Sequence, residues 1–110
     1  MNYYLCFDIG GTAIKYGIID ENANFLETYL TDTEATKGGQ HIREKILKLI
    51  DDIVRHYNIC GVCISTAGMV NPESGEIIYA SNTIPNYIGI NFKKDIEELF
   101  QIPCEVENDV

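Results

Sequence analysis

The chain is short of positive charge. Eight Lys and Arg stand against seventeen Asp and Glu, a formal net charge of −9. It has no basic stripe to follow a nucleic-acid backbone or to meet an anionic membrane surface, so neither is expected as a partner. No apolar run approaches the roughly 20 residues of a spanning helix. Met1-Asn2 leads straight into strand-like sequence, with no basic leader and no cleavage site, so no secretory signal and a cytoplasmic location are expected. Repeats, low-complexity tracts and linkers are also missing. At 110 residues the chain reads as one domain, long enough for a real core.

Cysteines are few: Cys6, Cys60, Cys63 and Cys104. Without secretion signals they are expected to be reduced. Cys60-x-x-Cys63 has the spacing of a zinc or redox pair. No second pair completes a four-ligand site, and Ile59 to Ile64 reads as a buried strand, on which residues three apart face opposite ways. All four are therefore expected as small core residues that bind no metal.

The two well-known glycine loops are absent too. Gly10-Gly11-Thr12 fits neither G-x-x-x-x-G-K-[ST] nor G-x-G-x-x-G ahead of a helix. What is present is Phe7-Asp8-Ile9-Gly10-Gly11-Thr12-Ala13-Ile14-Lys15, an apolar run, a carboxylate, two glycines, a hydroxyl and a second apolar run. It reads as strand, tight turn, strand. Glycines let the backbone turn sharply and approach a ligand, and consecutive N–H groups in such a turn can bind an anion. Asp8 at the strand end is placed to hold a metal ion or its water, with Thr12 as a donor and Lys15 as a cation. The same stretch fits an ordinary Gly-Gly hairpin equally well.

The rest alternates. Tyr3 to Ile9, Ile14 to Asp20 and Phe25 to Leu30 read as a meander of three strands, with Asp20 to Asn24 as a turn. From His41 to Tyr57 the period changes: Ile42, Ile46, Leu49, Ile50, Ile53 and Tyr57 form the stripe of an amphipathic helix. His41 and His56, near its ends, are given no catalytic role. The apolar Cys60 to Ser65 segment reads as a central parallel strand covered on both faces. It leads into the small-residue loop Thr66-Ala67-Gly68-Met69, at the end of a strand where open α/β sheets bind ligands. Val70 to Ile78 reads as a hairpin. Tyr79 to Gly89 is a loop rich in amides and hydroxyls, which suits sugar hydroxyls and also suits plain solvation. Asn91 is an N-cap for a second helix with the stripe Phe92, Ile96, Leu99 and Phe100, which Pro103 stops. A short strand from Cys104 to Val106 precedes Glu107-Asn108-Asp109. The fold class is α/β: a ribonuclease H-like, actin-like ATPase lobe with a mixed sheet of about five strands, antiparallel meander then parallel strands, flanked by helices and carrying a small hairpin.

Four stretches, in order, resemble the N-terminal lobe of a ROK-family sugar kinase of the glucokinase type. Asp8-Ile9-Gly10-Gly11-Thr12 resembles the family's phosphate hairpin. Thr66-Ala67-Gly68-Met69-Val70-Asn71 with Gly75 resembles its sugar-side loop. Ala80-Ser81-Asn82 with Asn86 to Asn91 resembles its sugar-specificity loop, and Glu107-Asn108-Asp109 the motif of its catalytic Asp. Ala13 stands where many members carry Lys or Asn, and Met69 where some relatives acting on N-acyl sugars carry Arg.

The resemblance implies transfer of the γ-phosphate of ATP to a sugar hydroxyl, with Asp109 as general base. Without it, Asp109 is equally a turn residue after a strand. The resemblance further implies that Gly68, Asn82, Asn108 and Asp109 bind the sugar, that Gly10, Gly11, Thr12 and Lys15 meet the phosphates, and that Asp8 contacts Mg²⁺ through water. It implies a second, C-terminal lobe carrying the adenosine pocket and a structural zinc motif, so that residues 1–110 are a fragment, inactive alone, of a full-length protein expected to be a homodimer. Two rivals come from other classes. A sugar-sensing transcriptional regulator of the same family would carry a DNA-binding helix-turn-helix ahead of this lobe, whereas Met1 enters the first strand directly. A non-catalytic actin-like binding module would have no use for both Asp8 and Asp109.

Overall fold

The protein is described here by a computed structural model, over residues 1–109. Strands β1 (Tyr3–Ile9), β2 (Ala13–Ile19) and β3 (Phe25–Asp32) form the meander. Helix α1 (Gly39–Val54) follows a short 3₁₀ turn at Ala35–Lys37. Then come β4 (Ile59–Thr66), the small hairpin β5 (Met69–Val70) and β6 (Ile77–Tyr79), α2 (Phe92–Phe100) and β7 (Cys104–Asn108). The main sheet has five strands in the order β3-β2-β1-β4-β7. β1 pairs antiparallel with β2 and parallel with β4, and β4 pairs parallel with β7.

Each helix is set by its stripe. Ile42, Ile46 and Ile50 of α1 are fully buried, as are Phe92 and Ile96 of α2. α1 ends before Tyr57, which leaves the helix to pack edge-on against Tyr3, ring centroids 5.4 Å apart. Asn91 caps α2, its side chain accepting the Lys94 N–H at 3.0 Å, an interaction worth about 1 kcal/mol. α2 stops because Gln101 takes the left-handed conformation, φ 58°, one residue after the helix. Pro103 lies beyond that stop and does not cause it. Leu99 does not join the stripe; it is exposed.

Both helices lie on one face of the sheet. Leu5, Phe7, Ile9, Val62, Ile64, Cys104 and Val106 turn toward them and belong to a single core. Alternation sends Tyr4, Cys6, Asp8, Lys15, Cys63 and Glu105 to the other face. That face is open, and two sequence expectations fail there. β4 is covered on one face only. Of the cysteines, Cys104 alone is a core residue; Cys6 and Cys60 are half-buried and Cys63 is exposed. Cys6 and Cys63 are direct neighbours across β1 and β4. Burial, then the adjacent Cys63 thiol, pushes the Cys6 thiol up to about 11.

Candidate active site

β1, β4 and β7 run the same way, and their last residues share one row, Ile9 beside Thr66 beside Asn108. The C-terminal ends of parallel strands are where open α/β sheets take ligands. From this row leave the Gly10–Thr12 turn, the Ala67–Gly68 loop and Asp109.

The turn is closed by the Gly10 N–H donating to the Ala13 carbonyl at 3.0 Å. Neither Gly10 nor Gly11 takes a left-handed φ. What they contribute is a missing Cβ. One on Gly10 would come within 3.2 Å of the Ala13 carbonyl oxygen, and one on Gly11 within 3.1 Å of the Thr83 methyl group. Thr12 is exposed.

A residue that the sequence did not single out holds this turn. Thr33 is fully buried. Its hydroxyl donates to the Gly10 carbonyl at 2.7 Å, and its N–H donates to the Thr12 carbonyl at 2.9 Å. Beside it, Glu34 adopts a left-handed conformation at φ 55°. Its carboxylate meets Lys37 and Lys45 at 2.7 Å and His41 at 3.1 Å. Hydrogen bonds from Lys37, Lys45 and His41, in that order, hold it down at about 2.

Asp8 and Lys15 are cross-strand partners on the open face. Both are exposed, and among the described residues neither side chain has a hydrogen-bond or ion-pair partner. They line a cavity of about 520 Å³ with Phe25 and Leu30. No group of three or more His, Cys, Asp or Glu suited to a metal occurs among the described residues. A single free carboxylate suits Mg²⁺, which keeps its waters and takes further ligands from phosphates.

Gly68 is demanded by its backbone. Its φ is +96°, and a Cβ there would come within 2.6 Å of the Tyr79 carbonyl oxygen. The Ala67 N–H fastens the loop to β1 by donating to the Ile9 carbonyl at 3.0 Å. A cavity of about 200 Å³ joins Gly11 to Gly68, Ser81, Thr83 and Tyr87. The next hollow, about 350 Å³, is lined by Ser81, Asn82, Pro85 and Asn86. Asn82 is exposed. The glycine turn, Gly68 and the Asn82 loop are therefore brought together. Asn108 and Asp109 stand at the adjoining strand end. The Asn108 side-chain oxygen accepts the Val70 N–H at 3.4 Å, tying the hairpin to β7. The Asp109 N–H donates to the Thr66 carbonyl at 2.9 Å, and the residue is exposed.

Beneath the site lies a second feature absent from the sequence reading. Thr66 and Tyr87 are both buried, and their hydroxyls are 2.5 Å apart. Burial is the main force raising the Tyr87 phenol above its usual value; the Thr66 bond opposes it and the Asp109 charge adds to it.

Comparison with known proteins yields one family and a consistent set of relatives. The model of the ROK family matches residues 4–110. A beta-glucoside kinase of Listeria innocua is 31% identical over 103 residues, covering 94% of this chain and 33% of its own. An uncharacterized protein of Clostridium perfringens is 53% identical over 110 residues, covering all of this chain and 37% of its own. The crystal structure of a ROK family glucokinase from Streptomyces griseus, in complex with glucose and AMPPNP, superposes with a TM-score of 0.80. Its sequence is 26% identical over 97% of this chain and 33% of the glucokinase. The chain thus spans about a third of the length of the curated relatives it matches.

Proposed function

The chain belongs to the ROK family, and from that premise we propose that it is the N-terminal lobe of an ATP-dependent kinase acting on a hexose or hexoside. One arrangement supports the reading most. Asp109 is fastened by its N–H to Thr66 at the strand end next to the one that carries the glycine turn. A base and a phosphate-receiving turn at the same edge of the sheet, with only β4 between their strands, suit a reaction between a hydroxyl and a phosphate.

In this reading the Asp109 carboxylate takes the proton of the sugar hydroxyl as that oxygen bonds to the γ-phosphorus and ADP leaves. Gly68, Asn82 and Asn108 orient the sugar. That role matters because phosphoryl transfer is mostly positioning and charge stabilisation. Gly10, Gly11, Thr12 and Lys15 receive the phosphates: Gly10 by closing the turn with its N–H on the Ala13 carbonyl, Gly11 and Thr12 through their N–H groups, Thr12 also through its hydroxyl, and Lys15 as a cation. Mg²⁺, when bound, is held by Asp8 through water and supplies charge neutralisation at the phosphate oxygens. A cytoplasmic site of action goes with ATP as donor.

A second lobe is part of the proposal, because the relatives are about three times as long and such sites are completed by closure. A coupled assay on the intact gene product should show hexose-dependent release of ADP. Residues 1–110 alone should fold and give none. Sugar binding without ATP turnover by the intact product would instead favour a sugar-sensing regulator.

A further inference from the structure

The polar pair beneath the site has no place in the catalytic scheme, yet it joins the two halves of that scheme. Thr66 is a node. Its carbonyl accepts the Asp109 N–H at 2.9 Å. Its hydroxyl donates to the Ala67 carbonyl at 3.2 Å, which leaves the oxygen free to accept from Tyr87 at 2.5 Å. The result is a directed chain, Tyr87 hydroxyl to Thr66 hydroxyl to Ala67 carbonyl, sealed from water at 1% and 0% exposure of the two side chains.

The loop from Ala80 to Ile90 is otherwise bonded elsewhere. Its Pro85 carbonyl accepts the Gly39 N–H of α1 at 2.9 Å, and its Gly89 N–H and Ile90 carbonyl bond Ile77 of β6. Among the described residues, the Tyr87 hydroxyl makes the only side-chain hydrogen bond between this loop and the main sheet. A buried hydroxyl pair is a poor source of net stability compared with an apolar pair of the same shape. What such a pair can supply is specificity, a single depth and rotation for the loop over the sheet.

We propose that Tyr87 and Thr66 are positioning residues that lock the Asn82 loop to the end of β4, the strand end to which Asp109 is bonded, so that the bound sugar hydroxyl and the base are held in register. The inference rests on the kinase reading for what is positioned, and on the hydrogen bonds alone for the lock itself. The ring of Tyr87 packs beside Phe92, centroids 6.3 Å apart, so Tyr87→Phe keeps the packing and removes only the lock.

The test uses the intact gene product. In Tyr87→Phe, kcat should fall by about ten- to a hundred-fold, the usual cost of a small misplacement, with KM for ATP within about two-fold of wild type. Thr66→Val should match it, and Thr66→Ser, which restores the hydroxyl, should recover most of the rate. Hydrogen exchange gives a readout that needs no activity. In Tyr87→Phe the amides of the 80–90 loop and of Asp109 should exchange faster, while the β1–β2 pairing is unchanged. Wild-type kcat together with unchanged exchange overturns the lock. So does an equal loss of ATP affinity and rate, which marks a general structural defect. A wild-type protein that turns over no ATP overturns the kinase reading, and the exchange result still decides the lock.

Discussion

Thr33 grips both sides of the glycine turn, its hydroxyl on the Gly10 carbonyl at 2.7 Å and its N–H on the Thr12 carbonyl at 2.9 Å. A turn that is to receive phosphate must hold its N–H groups in one arrangement before the ligand arrives. The hairpin closure alone supplies one bond, Gly10 to Ala13. Thr33, the residue just after β3, supplies two more.

Thr33→Val keeps the branched shape and removes the hydroxyl, leaving the Gly10 carbonyl without that partner. Stability should fall by about 1–3 kcal/mol, read from urea unfolding, and Thr33→Ser should recover most of it. In the intact protein KM for ATP should rise more than KM for the sugar. Unchanged unfolding in Thr33→Val would show that the turn holds itself.

Glu34 gives the segment a pH dependence. Its carboxyl lies at about 2 in the folded protein against an ordinary 4.5. A folded value below the unfolded one means stability that is present above the unfolded value and lost as pH falls through the folded one. The loss should run from about pH 4.5 down to about pH 2. Glu34→Gln should be less stable at neutral pH and show a shallower decline across that window, followed by acid titration of the thermal midpoint. Parallel curves for the two proteins would remove Glu34 as the cause.

Gly68 and Gly89 separate two costs of a side chain. Both have a left-handed φ, +96° and +95°. A Cβ on Gly68 meets the Tyr79 carbonyl oxygen at 2.6 Å, whereas one on Gly89 meets nothing within 4 Å. Gly89→Ala should therefore cost the conformational strain alone, about 1–2 kcal/mol, and Gly68→Ala clearly more. Equal thermal shifts would mean that the hairpin yields freely at Gly68.

The open face of the sheet is testable by thiol chemistry. In the 110-residue chain Cys63, exposed, should react first with a disulfide reagent. Cys104 should react only on unfolding, because burial, with the Glu97 charge second, pushes its thiol up to about 12. Protection of Cys63 in the native chain would mean that its face is covered.

Much of this architecture is legible where a period carries it. Ile42, Ile46 and Ile50 recur at helical spacing and all three are buried. The meander follows from alternating runs separated by turn residues, and Asn91 marks the start of α2 by its chemistry. Coverage is less legible. Cys6, Cys63 and Leu99 are apolar whichever way they face, so composition could not show that one face of the sheet is bare or that Leu99 leaves its stripe. The supports of the site were not legible at all. Thr33 meets Gly10 from 23 residues away, and Tyr87 meets Thr66 from 21. No local pattern separates Thr33 from exposed neighbours such as Asp32, because its role exists only once β3 has returned alongside β2. The glycine turn could be found in the sequence, but the reason for its glycines could not: they make room for neighbouring atoms and take no left-handed φ.

The most direct test of the account is Asp109→Asn in the intact gene product. The exchange keeps the size and the backbone bond to Thr66 and removes the proton acceptor. The rate of hexose phosphorylation should fall by roughly 10²–10⁴, the usual worth of a positioned acid–base group, while calorimetry finds sugar affinity little changed. Turnover near the wild-type rate would contradict the assignment of Asp109 as the base.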